Sequence, residues 1–298
     1  MLRAADGRGR MNRPDAILLG TGAGKADPNR FSPSNVVWLG EEPVLVDCGN
    51  GALLRLREAG IYPGDIRRLF LTHLHYDHYA DYPYLMIEPL IGEAAFGRGR
   101  LQVYGPPGTE RLVRSFEQTY DAEIDTYAYL AGYERTRELC RAEVIETYDG
   151  WSIELEGWQI TTAQVDHGVV KIPSFAYRFR SPEGKVLVFS GDTVPCDGIV
   201  QLAHGADVLV YESTLPEQEV ELRKQHGFAW YIHSTPRHAG LVARDAEVGS
   251  LVLNHFAAWN SFVETRDVYD WDELAPPSVR AEYDGKLIVG HDLLEIEL

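Results

Sequence analysis

Apolar residues run along this chain in short bursts, parted by Gly, Pro and Asn. "AILLG" (16–20), "NVVWLG" (35–40) and "PVLVDCG" (43–49) are bounded by turn residues and predict strands. "GALLRLREAG" (51–60) spaces Leu53, Leu54, Leu56 and Ala59 along one helical face. "IRRLFLTH" (66–73) predicts a buried strand, residues 78–92 a helix, and "RLQVYGPPG" (100–108) a strand with a hard stop. A helical stretch from 109 to 140 carries Phe116, Tyr120, Tyr127, Tyr129 and Tyr133. "WSIELEGWQITTAQVDH", "SFAYRFRS" and "KVLVFSGD" predict three strand segments, with turns at Gly157, Lys171–Pro173 and Pro182–Gly184. Two helix-then-strand units follow, in "IVQLAHGADVLVYEST" and "STPRHAGLVARDAEVGSLVLNHF". In the second, Thr235 is the expected N-cap and Pro236 the first helical residue. "KLIVGHDLLEIEL" closes the chain with two short strands. The pattern is that of one α/β domain over 15–298, after a disordered leader at 1–14 in which Met11 could be the true start. A mostly helical insertion is expected at about 88–148.

Composition adds little to that picture and excludes some functions. No apolar run approaches the roughly 18 to 20 residues that span a bilayer, so no membrane is expected as partner. The leader "MLRAADGRGRMNRPD" lacks the apolar core of a signal peptide, which makes cytoplasmic the default location. Cys48, Cys140 and Cys196 are too few and too far apart for a disulfide framework or a zinc ribbon, and read as packing residues. Lys and Arg total 28 against 45 Asp and Glu, a formal charge of −17. No Lys/Arg run offsets it, so a polyanionic partner is not expected.

The chemistry is concentrated in "FLTHLHYDHYADYPYL" (70–85). His73 and His75 alternate, so an extended strand end turns both to one side. Asp77 and His78 follow where the chain should turn. Imidazole and carboxylate suit zinc, with manganese or iron as alternatives. Four groups with diverging directions suggest two adjacent metals, each completed from elsewhere. His167, Asp192 and His255 each close a predicted strand, and the ends of neighbouring strands meet at one sheet edge. His73, His75 and His167 can then hold one Zn2+, and Asp77, His78 and His255 the second. Asp192 can bridge them, with a hydroxide between.

"THLHYDH" resembles the HxHxDH signature of the metallo-β-lactamase superfamily. "DH" at 166–167, "SGDT" and "NHF" resemble its later ligand motifs in the same order. "LVDCGNG" resembles its early Asp motif, which implies that Asp47 supports a ligand. The opening "ILLGTGAGKADPNRFSPSNVVWLG", with "VYGPPG", "YESTL" and "HSTPRHAG", resembles the branch of ribonuclease Z and arylsulfatase-like hydrolases. The resemblance implies an αβ/βα sandwich, two mixed β-sheets flanked by helices in four layers. It implies a binuclear zinc hydrolase in which Asp77 orients a metal-bridging hydroxide. It implies too that Glu212 and His233 form a catalytic pair near the scissile ester.

One departure steers the expected substrate. Ribonuclease Z carries a long tRNA-gripping arm between the counterparts of His167 and Asp192. Here 24 residues, 168–191, separate them, and two strands use nearly all. With the acidic total, this points to a small-molecule ester, an aryl sulfate or phosphodiester, under an aromatic lid. A tRNA 3′-processing endonuclease and a lactonase are the alternatives, and a homodimer is left open. His204, His226, His238 and His291 fall outside the motifs and read as ordinary histidines. Trp259, Phe262, Tyr269 and Trp271 are placed to cover the site from its other side.

Overall fold

The apolar bursts are strands buried on both faces, as sheets covered by helices require. The computed structural model describes residues 13–92, 99–130, 134–260, 262 and 267–298. The first part of the chain forms β1 (Ala16–Gly20), β2 (Ser34–Leu39), β3 (Glu42–Cys48), β4 (Arg68–Phe70), β5 (Gln102–Gly105) and β6 (Glu143–Glu146). The second forms β7 (Ser152–Leu155), β8 (Trp158–Val165), β9 (Ser174–Arg180), β10 (Val186–Phe189), β11 (Val208–Glu212), β12 (Ser250–Asn254), β13 (Lys286–Val289) and β14 (Leu294–Ile296). They make two seven-stranded sheets, ordered β14-β1-β2-β3-β4-β5-β6 and β13-β12-β11-β10-β9-β8-β7. Each sheet is antiparallel on one side and parallel on the other. This is the expected four-layer sandwich of two mixed sheets flanked by helices.

Three apolar clusters hold the layers together. Between the sheets, Phe70 stacks on Tyr104 with ring centroids 4.6 Å apart, and meets Tyr177 and Phe179 edge-on across the interface. Outside the first sheet, the helices Ala52–Glu58, Tyr82–Gly92 and Thr109–Thr119 close a second cluster. Outside the other sheet, Asp197–Ala203, Pro236–Asp245 and Trp271–Arg280 close the third. Thr235 does cap Pro236–Asp245, its side chain accepting from His238 N.

The differences from the sequence reading are local. "IRRLFLTH" stays in the ladder only over Arg68–Phe70. Beyond it, Thr72 N donates to the Asp47 carboxylate at 2.8 Å instead, which bends the chain towards the sheet edge. Tyr76–His78 is one 3₁₀ turn, and the following helix begins at Tyr82. Within 88–148, β5 and β6 are strands of the first sheet. Three short helices, Thr109–Thr119, Asp121–Leu130 and Glu134–Leu139, lie between them. Phe116, Tyr120 and Tyr127 pack on the core rather than over a pocket, and Tyr129 faces solvent. Tyr133, Met11 and most of the leader lie outside the described residues. Two helices, Glu217–Gln225 and Trp271–Arg280, were not read from the sequence. The second starts on an Asp270 cap and contains Pro276 and Pro277, whose presence argues against a helix.

Phe70→Ala should empty the centre of the interface between the sheets. A loss of about 3–5 kcal/mol is expected in urea unfolding. Phe70→Leu, which refills most of the volume, should lose much less.

Candidate metal centre

The site lies along one edge of the sandwich, where strands of both sheets end. Asp47 is in β3, and His167, Asp192 and His255 lie just beyond β8, β10 and β12. His73, His75, Asp77 and His78 come from the bent segment after β4. Asp47 and His255 hold positive φ angles of 61° and 60°, a conformation that costs a non-glycine residue energy and persists only where its surroundings enforce it.

The structure gathers the seven expected side chains around two points, 92 and 177 residues of sequence notwithstanding. At the first point, His73 Nε2 and His75 Nδ1 are 2.9 Å apart, and His167 Nε2 is 3.3 Å from His75 Nδ1. Asp192 Oδ2 faces them, 3.5 Å from His73 and 3.7 Å from His167. At the second, His78 Nε2 and His255 Nε2 are 3.2 Å apart, with Asp77 Oδ2 3.5 Å from His255. Asp192 Oδ1 faces these, at 3.4 and 3.3 Å. One carboxylate therefore turns one oxygen to each group.

The outer edges of the rings decide where the inner lone pairs point. His78 Nδ1 donates to Asp47 at 2.8 Å, and His167 Nδ1 to the Ile232 carbonyl at 2.8 Å. Thr72 Oγ1 donates to Asp47, so it accepts from His73 Nδ1 at 3.1 Å. Thr214 repeats the device in the other sheet: its hydroxyl donates to Glu212 at 2.7 Å and accepts from His255 Nδ1 at 2.7 Å. The Nε2 atoms of His73, His78, His167 and His255 are thereby turned inward, towards Asp192. Thr72 and Thr214 were not singled out in the sequence. Each is a hydroxyl within two residues of a named motif residue, in "THLH" and "YEST", and that position is the only signal they carry.

Electrostatics agree with this arrangement. Burial, with His78 beside it, pushes His73 well below the usual imidazole value. Burial likewise lowers His75 and His167. Their lone pairs are thus available, whereas at His78 burial is outweighed by Asp192, Asp47 and Asp77, which lift it well above that value. Burial alone would raise Asp192, but His255, His78 and His73 hold it well below the ordinary carboxylate range. Its Oδ1 is buried without a hydrogen-bond partner. A buried anion ringed by imidazoles calls for a cation beside it, a proton on His78 or a metal ion. The donor set, imidazole with carboxylate, suits a divalent metal.

A family model for the beta-lactamase superfamily domain matches residues 43–256. The chain belongs to the metallo-β-lactamase superfamily. Ribonuclease Z of Mycobacterium bovis strain BCG is 32% identical over 296 residues, covering 95% of this chain and 98% of its own. Ribonuclease Z of Mycobacterium marinum is 32% identical over 291 residues, with the same coverage. The chain thus falls in the ribonuclease Z branch of the superfamily. Among solved structures, the metallo-beta-lactamase fold protein YhfI of Bacillus subtilis has a TM-score of 0.71 at 17% identity, over 94% of this chain and 96% of its own. Human tRNase Z, short form, has 0.66 at 23%, over 94% and 97%. At those identities the likeness speaks for the fold alone. The superfamily fold brings divalent-metal binding with it.

Beside the centre, His233 Nδ1 donates to Glu212 Oε1 at 3.0 Å. Glu212 also accepts from Thr193 N, Thr214 N and the Thr214 hydroxyl, so both its oxygens are fixed. Burial works against a charge on His233. Glu212, with Asp192 and Asp77, outweighs it and lifts the pKa to about 9. His233, His75, Asp77 and His255 line a cavity of about 320 Å³ that opens to solvent, with Lys25, Arg223 and Leu215 on its walls. Arg223 had no motif to mark it, and Lys25, though within the opening motif, was not singled out. Trp271 and Tyr269 are engaged elsewhere, in the core and in a hydrogen bond from Tyr269 to Glu219. Of the other two aromatic residues expected over the site, Trp259 meets the wall at Lys25, its carbonyl accepting at 2.8 Å, and Phe262 lies 5.9 Å from the Arg223 guanidinium.

In chelator-treated protein, the proton on His233 should stabilise the fold. The gain is complete below the unfolded imidazole value of about 6.5. It is lost as pH rises through about 9. Melting temperature should therefore fall over that window, and His233→Asn should flatten the fall. Titration with zinc should raise the melting temperature of the chelated protein by mass action. Asp192→Asn should lower the number of ions retained, read by atomic absorption.

Proposed function

We propose that this chain is a binuclear metal-dependent phosphodiesterase that cleaves an RNA phosphodiester, in the manner of a processing endonuclease. The observation that carries the reading is the Glu212–His233 pair, set beside Asp192 and turned into the cavity. The curated relatives named Ribonuclease Z support it over most of the chain. Their name runs against two expectations from the sequence: that nucleic acid is not a partner, and that a small ester is the first choice.

His73, His75 and His167 would hold one ion, Asp77, His78 and His255 the other, and Asp192 both, with zinc the first candidate. Bound there, divalent ions supply a nucleophilic hydroxide near neutral pH and polarise an ester oxygen. The chain's own residues do the rest. Asp77, whose pKa is held down to about 2, stays an acceptor and orients the attacking water. His233 is the proton carrier. Glu212 fixes its Nδ1 and leaves Nε2 to donate to the leaving oxygen or to charge on the phosphoryl group. Glu212 acts through His233, as its positioning residue.

A second reading has its own support. Residues 168–191 hold β9 and β10 with only short turns beside and between them, which leaves no arm to grip a folded tRNA. With a charge of −17, that favours a small phosphodiester, or a sulfate ester, as substrate.

Metal-replete protein assayed on a precursor tRNA, bis(4-nitrophenyl) phosphate, 4-nitrophenyl sulfate and a simple lactone separates these readings. Turnover of the phosphodiesters is expected, with trimming of the tRNA at its 3′ side. His233→Ala should lower kcat about 10²–10⁴-fold with metal content unchanged. Faster turnover of the sulfate or the lactone would overturn the phosphodiesterase reading. Turnover of bis(4-nitrophenyl) phosphate with an intact tRNA would select the small substrate.

A further inference from the structure

The cavity wall carries two cations, and a segment with exposed rings runs up to it, in a chain of net charge −17. Lys25 and Arg223 both line it. Arg223 is held there by Glu219, which is fully buried and accepts from its Nε and a terminal nitrogen at 3.2 and 2.9 Å. Its other terminal nitrogen donates to the Ala229 carbonyl, which ties the next segment to the same wall. That segment, "HGFAWYIHS" (226–234), runs from the end of the helix Glu217–Gln225 to His233.

Its aromatic residues are turned outward. Phe228 is 58% exposed, Trp230 40% and Tyr231 36%. Lys224 Nζ, shared with Glu221, lies 4.6 Å from the centroid of the Trp230 ring. Trp230 and Tyr231 meet edge-on at 5.6 Å. The segment is fastened at both flanks. Phe228 and His226 pack on Phe262, and Val169 N donates to the Tyr231 carbonyl at 3.0 Å. Gly168 has a φ of +64°, and a Cβ there would stand 1.9 Å from that carbonyl, so only glycine allows the approach. The rings thus stand on a fixed base beside His167 and His233. Exposed aromatic faces with interleaved cations are what binds unpaired nucleotides: bases stack on the rings and the cations meet the phosphates.

We propose that Trp230, with Phe228 and Tyr231, stacks unpaired bases next to the scissile phosphodiester, while Lys25, Arg223 and Lys224 take the adjoining phosphates. The inference rests on the phosphodiesterase reading and adds to it where this chain, with no arm between His167 and Asp192, would grip the strand that enters the cavity.

Fluorescence anisotropy of a labelled, phosphorothioate-linked five-nucleotide RNA with the zinc-loaded full chain tests it. Trp230→Ala should raise Kd about 5- to 100-fold, and an abasic strand of the same length should bind as weakly. Trp230→Phe, which keeps a ring, should stay within about threefold of the native protein. Log K should fall against log salt with a slope no steeper than about −2, since Glu219 and Glu221 already pair with Arg223 and Lys224. Equal binding of the native and Trp230→Ala proteins, equal binding of the abasic strand, or no binding at all would overturn the proposal. Base-dependent binding by a protein that cleaves no phosphodiester would uphold it and sink the catalytic reading instead.

Discussion

A buried carboxylate organises this structure. Asp192 is 2% exposed, and its two oxygens face two sets of imidazoles from both halves of the chain. An isolated carboxylate in such a place would cost several kcal/mol. It is kept charged by His255, His78 and His73. Those rings must in turn be aimed, and the edge of the sandwich is built to aim them. The bend after β4, the positive φ at Asp47 and the positive φ at His255 all serve that one requirement.

The aiming is done by the same device on each side of the centre. In the first sheet, Asp47 and Thr72 take the outer nitrogens of His78 and His73. In the second, Glu212 and Thr214 take that of His255. Each is a carboxylate fixing a threonine hydroxyl that fixes a ring. Glu212 extends the pattern by one step, since its other oxygen holds His233 at the cavity. A single buried acid therefore couples the orientation of His255 to the position and charge of His233. The mirrored order of strands in the two sheets is what brings the two devices face to face.

Charge is distributed against the average of the molecule. A total of −17 would repel a polyanion, yet the cavity wall and its rim hold Lys25, Arg223 and Lys224. The aromatic residues follow a similar division. Phe116, Tyr120 and Tyr127, the most conspicuous set in the sequence, are spent on packing. Phe228, Trp230 and Tyr231, a short run with no periodicity, remain at the surface beside the site.

The strands were legible from the sequence because a buried strand needs a short apolar run between turn residues, and most of those among the described residues have one. So were His73, His75, Asp77 and His78, which sit within a few residues of each other, and His167, Asp192 and His255, which end strands. Prolines hid the helix Trp271–Arg280, since its cap and core contacts outweigh a local rule that no tertiary context relaxes in a sequence. What only the tertiary structure decided is which groups meet across the two sheets. Thr72 and Thr214 gain their roles from the rings opposite them, and Lys25 shares a cavity wall with Arg223 from the other half of the chain. Local chemistry can be read along a sequence. Convergence depends on the order and hand of strand pairing, and that is a property of the folded sandwich.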